Sequence, residues 1–168
     1  MAAIDLTGTW RTTAPPADVW RVVADLTTWP RWWPAIDDVE VLAGSATAPE
    51  AARFTFGTPV RPLRVEMAGT ATGAERLDVV TVGGPVHGTG RLELLEEPGL
   101  VGAGGETDLA GGGTAVRFAM RLDVRSLIFK PVERILAGAA RGSGRERLRQ
   151  AGDDLARLAG GEPGHHDV

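Results

Sequence analysis

Chemistry needs a charged, nucleophilic or metal-binding side chain held where a substrate can reach it, and this 168-residue sequence offers few. Arg61 and Arg64 stand beside the prolines between Phe56 and Leu63, where guanidinium groups can hold a carboxylate or an enolate at a pocket mouth. Asp25 falls near the end of a short helical pattern. His87 alternates with Thr89, Arg91 and Glu93 opposite Gly88, Gly90, Leu92 and Leu94, so it is expected to point outward. His165 and His166 stand together near the end of the sequence, and no metal site is expected of them. With no cysteine, disulfides, thiolate zinc sites and cysteine nucleophiles are excluded. Nucleophile-elbow, dinucleotide, phosphate-loop and zinc-protease motifs are missing as well. No catalytic residue can be named, and neither a cofactor nor a metal is expected.

The apolar residues carry more pattern. Phe54 and Phe56, then Leu63, Val65 and Met67, then Leu77 and Val79 alternate along successive strands, followed by Leu92 and Leu94 and by Val116, Phe118, Met120 and Leu122. Facing them on a C-terminal helix, Leu136 and other large residues flank the small Ala139, Ala140 and Ser143. Small residues opposite a concave sheet leave volume unfilled, which predicts an internal cavity for a hydrophobic or polyaromatic molecule. The same stripes would also serve as ordinary core, and the small residues could instead let helix and strand approach closely.

The elements that place these residues follow from periodicity. Residues 4 to 13 alternate as a strand, Pro15-Pro16 breaks it, and Val19, Val22, Val23 and Leu26 recur at helical spacing over residues 16–27. Thr27 and Thr28 can cap a second short helix between Trp29 and Pro34. Strands are predicted at 38–42, 52–56, 63–71, 76–82, 86–96 and 114–124, joined by Gly- and Pro-containing turns, with a Gly-rich surface loop over 98–113. From Leu127 the pattern returns to a helix with an apolar face through Leu148, Ala151, Leu155 and Leu158, an arginine face, and an Arg149–Asp153 pair. The fold class is α+β: a seven-stranded antiparallel curved sheet wrapped around a long C-terminal helix, with two short helices between strands 1 and 2. One ligand-binding domain is expected over 1–159 and a disordered tail over 160–168.

Composition narrows the partners. The 22 acidic against 18 basic residues give a formal charge of −4, and no basic patch interleaves with aromatics, so a nucleic-acid partner is disfavoured. No run of about eighteen apolar residues occurs and the first residues do not resemble a signal peptide, so a cytoplasmic monomer or homodimer without integral membrane association is expected.

The stretch Ala14-Pro15-Pro16-Ala17-Asp18-Val19-Trp20, with Asp25, the segment Trp29 to Pro34 and the strand-opening Gly112-Gly113-Thr114, resembles the START-like, or SRPBCC, superfamily in its polyketide cyclase/dehydrase and lipid-transport branch. The resemblance runs from about Ile4 to Leu158. It implies the helix-grip fold with a deep cavity, and members include cyclases, aromatases, hydrolases, lipid carriers and hormone receptors. All five tryptophans fall within the first 33 residues. Trp20 is expected to staple its helix to the sheet, and the resemblance puts Trp33 near the cavity opening, where it could stack on a flat ligand. Aromatase/cyclases of the superfamily steer enolisation with pocket tyrosine, arginine or histidine, and this sequence departs from them in having no tyrosine. The implied function is binding of a lipid- or polyketide-like molecule, the alternative being a polyketide cyclase acting in the same cavity.

Overall fold

The computed structural model describes residues 2–46, 48–57, 62–73, 75–97, 112–124 and 143–168. Arg61, Leu136, Ala139, Ala140, the side chain of Ser143, most of the Gly-rich 98–113 segment and the first half of the C-terminal helical pattern lie outside the described residues.

Strand β1 (Ala2–Thr12) ends before Pro15, whose extended backbone (φ −68°, ψ 152°) leads into helix α1 (Pro16–Ala24) with Pro16 in its first turn. The buried face of α1 is Val19, Val22, Val23 and Ala24, and Asp18 sits favourably in the first turn. The helix stops three residues short of the expected boundary because of Asp25. Its backbone turns extended and its carboxylate accepts from the Thr27 N–H at 3.0 Å and the Thr27 hydroxyl at 2.6 Å, opening a single 3-10 turn over Leu26–Thr28. Thr28 does not cap the next helix by its side chain; its hydroxyl closes the end of α1 by donating to Val22 O at 2.9 Å and Asp25 O at 2.8 Å. Helix α2 (Trp29–Trp32) follows.

Strands β2 (Ile36–Ser45), β3 (Ala48–Phe56), β4 (Leu63–Thr72), β5 (Arg76–Gly83), β6 (Val86–Glu97) and β7 (Gly113–Val124) then form a meander, and β1 joins at the far edge beside β7. The seven-stranded sheet is antiparallel throughout, in the order β1-β7-β6-β5-β4-β3-β2. Register shifts in the β2–β3 and β4–β5 pairs add the local twist that curls a sheet. The β5–β6 turn requires Gly84, whose φ of +101° is open to glycine and strained for other residues.

The described part of the C-terminal helix is α3 (Ser143–Leu158). It buries Leu148, Ala151, Leu155 and Ala156, exposes Arg145 and Arg149, and packs against α1, α2 and β1. The expected Arg149–Asp153 pair is replaced: Arg149 bonds Glu146 at 2.7 Å, and Asp153 is taken by His166. Residues 160–168, expected as a disordered tail, are instead bonded along β1, with bridges Thr12↔Pro163 and Thr9↔Asp167. No helix among the described residues is long and apolar enough to cross a membrane.

Candidate functional site on the concave face

Cross-strand register assembles the inward side chains into rows. Gly8, Phe118, Leu92 and Leu77 form one row across β1, β7, β6 and β5, and Leu6, Met120, Gly90 and Val79 form the next. Farther along the sheet, Phe54 faces Val65 and Phe56 faces Leu63, while Met67 lies between Ala52 and Thr81. Phe54, Leu63, Val65, Leu77, Leu92 and Phe118 are therefore brought to one face and buried, as expected.

Burial changes along that face. Leu77, Leu92 and Phe118 of the first row belong to a cluster with the tryptophans and are closed to solvent, at 1%, 0% and 2% exposed. The neighbouring row is not closed, since Leu6, Val79 and Met120 are only half-buried. A second, smaller cluster of Leu63, Val65 and Val86 lies beyond, and the half-buried Phe56 and Met67 pack against both clusters. Inward-facing apolar side chains that keep accessible surface between two packed clusters are what a ligand-sized gap requires.

One wall of that face is aromatic. Trp10 stacks on Phe118 with ring centres 4.3 Å apart and meets the edge of Trp33 at 5.4 Å. Trp33 stacks on Trp29, which contacts Phe54, and Phe54 stacks on Phe56, so aromatic contact runs unbroken from β1 to the half-buried region. Trp33 is 7% exposed and is part of this wall. Trp20 is partly buried against the same cluster, consistent with a staple. The indole N–H of Trp10 donates to Leu148 O at 2.8 Å and that of Trp29 to Val23 O at 2.9 Å. The buried Trp32 N–H has no hydrogen-bond partner among the described residues, an arrangement that costs about 1–3 kcal/mol.

Charge lies on the opposite face. Arg53 bridges Glu40 and Glu66, and Asp78 accepts from Arg76 at 2.6 Å and Arg91 at 2.7 Å. Burial pushes the Asp78 carboxyl up, but the two guanidinium groups outweigh it and hold it below the ordinary carboxylate value. Arg64, expected at the mouth, alternates with the inward Leu63 and Val65, faces Thr55 across the β3–β4 pair, and is exposed on the outer side. His87 is on the outer row opposite Asp123. On the concave face Thr81 lies opposite Met67, and its hydroxyl accepts from the Gly88 N–H at 2.6 Å. Among the described residues no cluster of three or more metal-binding side chains occurs.

Leu6 and Trp10 belong to this site and were outside the residues assigned to it from sequence. Alternation places both on the inner face of β1, but only the β1–β7 register, with Leu6 opposite Met120 and Trp10 opposite Val116, puts them beside the others.

Known proteins share this arrangement of sheet and helices. The profile of the family described as polyketide cyclase / dehydrase and lipid transport matches residues 12–156. A START superfamily protein from Mycobacterium smegmatis superposes with a TM-score of 0.65 at 16% identity, over 94% of this chain and 97% of the other. The Zhui aromatase/cyclase from Streptomyces sp. R1128 does so at 0.68 and 15%, over 95% and 94%. A protein from Thermus thermophilus does so at 0.66 and 17%, over 94% and 97%. At these identities the likeness is one of fold, the helix-grip arrangement of sheet and C-terminal helix. No curated protein matches the sequence significantly.

Proposed function

Since the chain belongs to the polyketide cyclase / dehydrase and lipid transport family, we propose that it encloses a hydrophobic or polyaromatic molecule, lipid- or polyketide-like, between the sheet and the C-terminal helix. The observation that carries this reading is the set of half-buried, inward-facing residues Leu6, Val79, Met120, Phe56 and Met67 that pack against the two clusters. Burial of apolar ligand surface against these side chains supplies the affinity, at roughly 25 cal/mol per Å² before the costs of association. The aromatic wall ending in Phe56 favours a flat ligand, which can stack where an alkyl chain cannot.

A cyclase reading is favoured by the family description and by the aromatase/cyclase fold neighbour. In that reading the same gap folds a poly-ketone chain so that proximity selects one ring closure. Arg61 and the small residues Ala139, Ala140 and Ser143 belong to either proposal as candidate ligand contacts.

Native mass spectrometry of the purified protein, followed by titration with anthraquinone read by tryptophan fluorescence, tests binding. A stoichiometric apolar adduct, or saturable quenching that Val79→Phe abolishes, supports the enclosed site. Quenching unaffected by Val79→Phe, together with an adduct-free mass, overturns it. Conversion of a linear poly-ketone into one cyclised product faster than in buffer would move the reading from carrier to cyclase.

A further inference from the structure

Residues 162–168 leave α3 through Gly160 and Gly161 and run along the edge of β1 that β7 does not cover. Thr9 exchanges both backbone hydrogen bonds with Asp167, at 2.7 and 3.0 Å, the Gly164 N–H donates to Arg11 O at 2.8 Å, and the Thr13 N–H donates to Glu162 O at 3.1 Å. The Arg11 N–H completes the series with a side chain, donating to His166 Nδ1 at 3.1 Å. A backbone N–H can only donate, so Nδ1 carries no proton and the ring proton resides on Nε2, 3.1 Å from Asp153 Oδ1 on α3. The His166 side chain is 1% exposed. One neutral imidazole thus ties the sheet edge to the terminal segment and that segment to the helix.

We propose that residues 162–168 form an acid-released strap: neutral His166 clasps the C-terminal helix to the β1 edge, and protonation of Nδ1 opens the clasp. A proton on Nδ1 turns the acceptor of the Arg11 N–H into a second donor, so the two N–H groups oppose each other in a site that water scarcely reaches. Burial already pushes His166 below the ordinary imidazole value of 6.5, Asp153 opposes that shift, and Arg149 on α3 and His165 on the strap add to it. The Arg11 guanidinium on β1 is held by Glu97 at 2.9 Å and Asp167 at 2.6 Å, contacts that raise Arg11 above its ordinary value, and the bond to Arg11 holds Asp167 below its own. Released His166 is hydrated and binds its proton at the ordinary value, so strap closure is fully favoured above about pH 6.5 and weakens as pH falls below it.

The 168-residue chain, labelled for NMR, gives the test: amide exchange at Thr9, Arg11 and Asp167, corrected for intrinsic rates, together with titration of the His166 ring. Protection at those three amides is expected to drop towards about tenfold per pH unit below 6.5, with the amides of β6 and β7 unchanged. The H166Q variant, whose side-chain oxygen can accept but cannot titrate, is expected to lose that pH dependence. Should glutamine fail to hold the strap at all, the wild-type ring decides alone, since strap opening must coincide with its protonation below 6.5. Protection that is flat from pH 7.5 to 5 in the wild type, or a ring that titrates at or above 6.5 while the strap stays closed, overturns the proposal.

Discussion

Val79 and Leu92 are apolar, inward-facing and on adjacent strands, yet they do different jobs. Leu92 is 0% exposed at the centre of the larger cluster, whereas Val79 is half-buried one row away. Leu92→Ala should cost about 2–5 kcal/mol of stability, because the packed row around it cannot collapse into the void. Val79→Phe should cost less than the roughly 1–3 kcal/mol of overpacking a closed core, because its added ring enters the gap, and it should weaken binding of a flat apolar probe. Urea unfolding of both variants beside probe titration checks the pair, and equal destabilisation by the two would mean that the second row is closed core. Sequence alternation placed both residues on the concave face without separating them. Their burial depends on which strand lies beside which, and on Leu6 and Met120 meeting across β1 and β7.

At the scale of elements, two residues act in ways that periodicity does not reveal. The apolar spacing of α1 continues through Leu26, but the Asp25 carboxylate captures the Thr27 N–H and ends the helix at Ala24. Asp25→Ala should therefore cost about 1 kcal/mol, as the loss of a cap does, measured as a shift in the denaturant midpoint at unchanged slope. Gly152 is a second case. A mid-helix glycine normally costs about 1 kcal/mol relative to alanine, so Gly152→Ala should stabilise an isolated helix. Here a β-carbon would lie 2.5 Å from Trp10 Cδ1 and 2.7 Å from His166 Nε2, both in buried, hydrogen-bonded rings. The substitution should destabilise the protein by about 1–3 kcal/mol and loosen the strap, seen as faster exchange at Asp167. Strands and helices were legible because their apolar periods were intact. The strap was not, because it is held by backbone groups, by the Arg11–Asp167 ion pair and by one imidazole acting as an acceptor, and none of these leaves a hydrophobic pattern in residues 160–168.

For the whole molecule, the titrating groups described above order the loss of stability in acid. The native pKa of His166 is lowered, so its contribution is complete above the ordinary value of 6.5 and declines as pH falls towards the lower native value. Asp167, held down by its hydrogen bond to Arg11, and Asp78, held down by Arg91 and Arg76 against the opposing effect of burial, contribute above 3.8 and lose that contribution only as pH falls through their still lower native values. Unfolding free energy should therefore fall in two stages. The first, starting below pH 6.5, can be no steeper than about 1.4 kcal/mol per pH unit, the limit for one linked proton. It must also level off, because once the strap opens in an otherwise folded protein His166 binds its proton in the native state too, and the difference from the unfolded chain disappears. The height of that step is then the free energy of strap closure itself. Urea midpoints measured from pH 8 to 4.5 should show the step in the wild type and not in H166Q, with both proteins losing stability together in the carboxylate range. A wild-type curve flat to pH 4.5 would mean that the imidazole is not the group on which the closed edge of the sheet depends.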